Sequence, residues 1–155
     1  MAAKFAADTS VSSDRSRAEI ENTLRRYGAD RFAYMSERTR AVIGFEAHNR
    51  RIRFDVPMPD PQAREFHWSN HARPQKRSPA KAHEAWEQAC RQKWRALSLV
   101  VKAKLEAVEA EITTFENEFL AHIVLPNGQT VGDMAAPSIE AAYAGKSMPP
   151  LLEKF

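Results

Sequence analysis

Four side chains in the middle of the sequence carry the chemistry of a zinc site: His67 and His71, four apart, with His83 and Cys90 downstream. Their spacing argues against a metal. His67 and His71 fall in an aperiodic stretch, Pro74 and Pro79 intervene before His83, and Cys90 is the only cysteine, so these read as ordinary histidines and no metal or other cofactor is expected. His48 and His122 sit near turns or helix ends without an evident partner. No Ser, Thr or Cys stands in a motif that would set a base beside it, and the five dispersed glycines form neither GxxxxGK nor GxGxxG. The expectation is a protein with no catalytic residues, hence not an enzyme.

The stronger chemical signal is cationic. Arg38, Arg40, Arg50, Arg51, Arg53, Lys76, Arg77, Lys81, Arg91, Arg95 and Lys102 gather in hairpin turns, one loop and the adjoining half of a long helix. Such a surface attracts phosphates through charge and counterion release, and Phe66 or Trp68 offers a ring on which an exposed base can stack. Arg40, Arg51, Arg53, Lys76, Arg77, Arg91, Arg95 and Lys102 are the expected phosphate contacts. The competing reading is a solvated face.

Charge is also divided along the chain. Residues 1–104 carry 21 Lys and Arg against 12 Asp and Glu, a balance of +9, whereas residues 105–155 carry 2 against 8, a balance of −6. Within "CRQKWRALSLVVKAKLEAVEAEITTFENEF" every charge through Lys104 is positive and every charge from Glu106 on is negative. Glu106, Glu109 and Glu116 read as a solvated or partner-facing stripe. A basic part joined to an acidic one suits either a polyanion-binding face with an acidic remainder or subunits that meet head to tail.

The elements that must position these residues follow from periodicity. At 155 residues the chain suits one domain at 12–155 behind a flexible tail at 1–11. "SSDRSRAEIENTLRRYGAD" sets Ile20, Leu24 and Tyr27 at helical spacing before Gly28, which predicts a helix over about 14–27. "RFAYMSE", "RAVIGFE" and "RRIRFDVP" alternate and are joined by tight connections, which predicts a three-stranded antiparallel meander with Ile52, Phe54 and Val56 on the core face. Residues 62–80 hold neither period and read as a mobile basic loop. From Pro79 the apolar positions Trp86 to Phe119 recur at spacings of three and four, a stripe of roughly 33 residues or about 50 Å on one rod. A meander cannot cover that length alone. "VLPNGQTVGDMAAPSIEAAYAG" then predicts a hairpin at Asn127-Gly128 and a short helix from Asp133 to Tyr143, ended by Gly145. The fold class is α+β.

"LRRYGADRFAY", "QKWRALSLVVKAKLEAVEAEITTFENEFLAHIVLPNGQTV" and "MPPLL" together resemble a family of short, uncharacterised phage and prophage proteins over roughly residues 12–152. The resemblance implies a phage or mobile-element origin and transfers no catalytic residue. The order helix, meander, long helix is also similar, as architecture alone, to the core of phage single-strand annealing proteins of the RecT and Red-beta type. These likenesses imply a non-enzymatic DNA-binding protein, with single-stranded DNA as its nucleic acid, acting in recombination or annealing. The alternative is a phage protein-interaction factor, an adaptor or an inhibitor of a host system, that uses the charge-split helix. The uncovered stripe and split charge predict a homo-oligomer. No apolar run has the length of a membrane span, "MAAKFAADTS" lacks the apolar centre of a signal peptide, and the single thiol suits a reducing compartment, so the expected location is the cytoplasm without membrane contact.

Overall fold

A computed structural model describes residues 6–145. The Ser12 hydroxyl accepts the Arg15 amide (3.2 Å) and opens α1 (Ser13–Arg26); Tyr27 caps the helix, and Gly28 at φ +87° turns the chain toward the sheet. Strands β1 (Arg31–Ser36), β2 (Arg40–Ala47) and β3 (Arg50–Pro57) pair antiparallel in the order β1-β2-β3. His48 and Asn49, both at positive φ (51° and 57°), make the two-residue turn between β2 and β3, the geometry that matches strand twist. The register places Glu46 between Arg31 and Arg51, and Gly44 between Ala33 and Arg53. Alternation then sends Ala41, Ile43, Phe45, Ile52, Phe54 and Val56 into the core and Arg40, Glu46, Arg51, Arg53 and Asp55 to the outer face.

The stretch expected as a mobile loop is built structure. Its first part is a helical turn, α2 (Arg64–His67), whose Phe66 is buried. A small hairpin follows, with a bridge between Trp68 and Lys76 and a Ser69 amide bonded to Gln75 O (2.8 Å). An apolar anchor inside a polar sequence holds this segment down.

Ser78 caps α3 (Pro79–Glu109) by accepting the Lys81 amide (3.3 Å), with Pro79 in the first turn. The single rod expected to reach Phe119 ends ten residues earlier. Glu111 takes a left-handed φ of 57°; its amide bonds Val108 O (3.1 Å) and the Ile112 amide bonds Ala107 O (3.0 Å), the paired bonds of a Schellman end. Thr114 then caps a separate helix, α4 (Phe115–Phe119), by accepting the Asn117 amide (3.2 Å). Ile112, on the expected stripe, is 78% exposed. Three β-branched residues, Ile112, Thr113 and Thr114, explain why the helix yields here.

A 3-10 turn (Leu120–His122) leads to the turn at Asn127-Gly128, where the expected hairpin is reduced to one isolated bridge, Val124 to Thr130. Its first arm extends the sheet instead: Ile123 bridges Ile52, and the Val124 amide bonds Arg51 O (2.8 Å). The last helix, α5 (Val131–Gly145), starts two residues before the expected Asp133, because Thr130 Oγ1 accepts the Asp133 amide and the Asp133 carboxylate accepts the Thr130 amide (both 3.1 Å), a reciprocal cap.

The core lies between the inner sheet face and α1, α3 and α4. Phe119, fully buried, meets Phe45 and Phe54 edge to face at 5.8 and 6.3 Å, while Ile20, Leu24, Trp94, Val101 and Leu105 close the other side. The stripe of α3 is thus covered within the chain by α1, α2, α4 and the sheet. The premise for a homo-oligomer, an apolar rod in need of a neighbour, does not hold. The residues of the expected tail from Ala7 to Thr9 accept hydrogen bonds from the Gln88 amide, and "MPPLL" lies outside the described residues.

Candidate nucleic-acid interface

The sheet arginines share a face and are balanced there. Glu46 stands between Arg31 (3.6 Å) and Arg51 (3.5 Å), and Asp55 is held by Arg40 and by Arg53 (2.9 Å). Burial acts to raise the Asp55 pKa, but the hydrogen bonds and charges of Arg40 and Arg53 outweigh it and hold the carboxyl below its ordinary range. Arg53 also donates to Gly128 O (2.8 Å) and pairs with Asp133 (3.2 Å), tying the C-terminal turn to the sheet. Asp133 is depressed chiefly by the Thr130 backbone amide and then by its hydroxyl. Arg40, Arg51 and Arg53 therefore act first as structural ion pairs.

The helix residues are divided by α1, which lies parallel to α3: Thr9 meets Gln88, Glu19 meets Arg95 and Ser98, and Tyr27 meets Glu106. Arg95 is paired with Glu19. Arg91 donates Nε and Nη2 to Gln88 Oε1 (2.9 and 2.7 Å) and has no carboxylate partner among the described residues. Lys102 is exposed, and no partner for it is found among the described residues. Most of the acidic residues are occupied too. Tyr27 donates its hydroxyl to Glu106 (2.5 Å), which raises the tyrosine pKa; Glu116 pairs with Arg50, and Glu118 pairs with Lys104 (3.0 Å).

The lobe around α2 differs in kind. From Phe66 to His83 there is no Asp or Glu, while Arg73, Lys76, Arg77 and Lys81 all fall in this span. Arg77 is internal to it, its Nη1 donating to Glu65 O (3.2 Å) and Phe66 O (3.3 Å) while its amide donates to His67 O (2.8 Å). That arginine closes the lobe rather than reaching outward. Trp68 is 37% exposed, with the Arg64 guanidinium 5.9 Å from its ring centroid and Lys76 opposite it across the hairpin. Arg73 sits exposed at the hairpin tip. Sequence reasoning singled out Lys76 and Trp68 but passed over Arg64 and Arg73 as phosphate contacts. The absence of acids from eighteen consecutive residues was the available signal.

The candidate zinc set does not assemble. His67 Nε2 contacts Pro61 O (2.9 Å), His83 lies 3.3 Å from Glu87, and among the described residues no cluster of three or more His, Cys, Asp or Glu could hold a metal. Burial, then the nearby Glu87, pushes the Cys90 thiol up, so it rests protonated rather than as a nucleophilic thiolate. No helix among the described residues is long and apolar enough to cross a membrane.

The eight expected phosphate contacts are thus not one surface: four are in ion pairs, Arg77 and Arg91 hold neighbouring groups, and Lys76 and Lys102 are free of partners among the described residues. Comparison with known protein families, curated proteins and solved structures finds no match to this chain in any of the three.

Proposed function

We propose that this chain binds single-stranded nucleic acid without catalysing a reaction, and that the α2 lobe makes the contact. The observation that carries the reading is Trp68, partly exposed between Arg64 and Lys76 within an eighteen-residue run, Phe66 to His83, that holds no Asp or Glu. A ring of that kind stacks on any base, and unneutralised cations beside it track the backbone. The architectural similarity to phage single-strand annealing proteins favours DNA as the strand, handled in recombination or annealing in the cytoplasm. Arg40, Arg51, Arg53 and Arg95 contribute little to the attraction, since their carboxylate partners already offset their charge.

The test is titration of a fluorescent single-stranded oligonucleotide across a salt series. Trp68→Ala should cost about 1–3 kcal/mol of binding, and Lys76→Glu with Arg73→Glu should weaken binding and flatten the salt slope by about 0.7 per lost phosphate contact. Wild-type protein that does not bind at low salt, or binding unchanged by these variants, would refute it.

One observation favours a second reading, a protein-interaction factor. Helix α5 buries none of its residues, leaving Ile139 45% and Tyr143 88% exposed. In that case Tyr143→Ala and Ile139→Ser would abolish capture of a protein while leaving oligonucleotide titrations untouched.

A further inference from the structure

The α2 lobe leaves unexplained a cavity of about 460 Å³ where the start of α1, the β1–β2 turn and the Pro-rich exit of β3 meet α3. Arg17, Arg38 and Arg91 line it. Arg17 is spent on structure, paired with Asp14 and lying 5.2 Å from the Tyr34 ring centroid and 5.1 Å from that of Trp94. Arg91 is placed differently. A neutral amide, Gln88, takes two of its donors and is itself oriented by donating to Ala7 O (2.9 Å) and Thr9 O (3.0 Å). A guanidinium aimed by an amide has no opposite charge beside it, whereas the charge of one aimed by a carboxylate is locally offset. Arg38, in the exposed β1–β2 turn, has no partner among the described residues. Two carboxylates share the lining: Glu87, beside His83 at 3.3 Å, and Glu37, exposed at the mouth.

Beside Ser12, Ser13 and Ser36 the wall has an apolar part. Trp86 is pinned through its indole N–H to Pro59 O (2.8 Å), and Met58 and Trp94 complete the surface. Two guanidinium groups in no ion pair among the described residues, beside an apolar stretch of wall, suit a phosphate joined to a planar ring, and the volume is that of a small-molecule site. We propose that this cavity binds a nucleoside 5′-monophosphate unit, either as a free nucleotide or as the 5′ end of a strand, with Arg91 and Arg38 on the phosphate and the Trp86 wall against the base. The site is separate from Trp68 and does not depend on the lobe's binding a strand.

Cys90 lines the same cavity and is the chain's only cysteine, so its rate of alkylation by iodoacetamide reports occupancy there and nowhere else. Adenosine 5′-monophosphate at about ten times its Kd should slow alkylation about tenfold by mass action. Arg91→Gln should remove that protection. Arg38→Gln, in an exposed turn where folding is not at stake, should weaken it in parallel, and Trp68→Ala should leave it intact. Protection by a 5′-phosphorylated oligonucleotide, but by neither the nucleotide nor a 5′-hydroxyl oligonucleotide, assigns the site to strand ends. The proposal is overturned if neither phosphorylated probe protects Cys90, if inorganic phosphate protects as well as the nucleotide, if the 5′-hydroxyl strand protects equally, or if the arginine variants retain full protection. Loss of protection in Trp68→Ala would place the ligand on the lobe instead.

Discussion

At the residue scale two positions show physical chemistry acting against the side chain present. Glu111 terminates α3 in a left-handed conformation at φ 57°, which a residue with a Cβ adopts only at a cost. Its amide and that of Ile112 complete the Schellman bonds, so the backbone needs the conformation and not the carboxylate. Glu111→Gly should stabilise the protein by about 0.5–1 kcal/mol, the relief of strain being partly offset by a more flexible unfolded chain; urea unfolding measures it. His122 is the other. It stacks on Phe54 at 4.1 Å, and burial, followed by the nearby Lys104, holds its pKa below the ordinary 6.5 against the opposing pull of Arg53 O and Asp55. The folded state therefore prefers the neutral ring. This contribution to stability is whole above about pH 6.5 and is lost as pH falls below it, because the unfolded chain takes up the proton first. The thermal midpoint of wild type should drop between about pH 7.5 and about pH 5.5 by more than that of His122→Phe, which keeps the stack and removes the titration. Equal drops would show that His122 titrates alike in both states.

At the scale of elements, the two halves of α3 meet different groups of α1 and its cap: a carboxylate on the basic half and a hydroxyl on the acidic half. The helices run parallel, with Arg95 against Glu19 near the start of the pairing and Glu106 against Tyr27, beside Arg26, at its end. Arg95→Glu should therefore destabilise the fold, and Glu19→Arg added to it should recover part of the loss, a coupling of about 0.5–1 kcal/mol given that both side chains are partly exposed; a double-mutant cycle by denaturant unfolding reads it. That Glu19 of α1 meets Arg95 of α3 is a tertiary fact, so the sequence shows the split charge without the pairing. What was legible is what periodicity and local signals encode: Gly28 after α1, Pro79 at the start of α3, the alternation of Ile52, Phe54 and Val56, and the turn at Asn127-Gly128. The end of α3 was hidden because Phe115 and Phe119 re-enter at the stripe's own spacing although they belong to α4. The α2 lobe was read as structureless because its order rests on Phe66, one apolar anchor, and on Arg77 binding backbone carbonyls, neither of which has a period. Among the site residues, side-chain type revealed which were cationic, but only the fold shows which of them a carboxylate already holds.

At the scale of the whole molecule, order is unevenly distributed. The sheet, α1, α3 and α4 share one core, whereas α5 touches the rest mainly through the 3-10 turn Leu120–His122. Its attachment is its first turn, where Gly132 lies so close to Ala121 that an added Cβ would stand 2.9 Å from Ala121 O. Beyond that turn a 15-residue helix with Pro137 inside it and no buried residue gains little from packing, and helices of this length are marginal alone in water. Amides of α5 after Pro137 should thus exchange with solvent orders of magnitude faster than those of β2 or of α3 from Trp94 to Leu105, whose opening requires breaching the core. Hydrogen exchange at two protein concentrations tests this together with the question of self-association. Fast exchange of α5 at both concentrations means the helix stands uncovered on a monomer. Protection that rises with concentration would instead mean that a second copy covers Ile139 and Tyr143, and self-association would then run through α5 rather than through the stripe of α3.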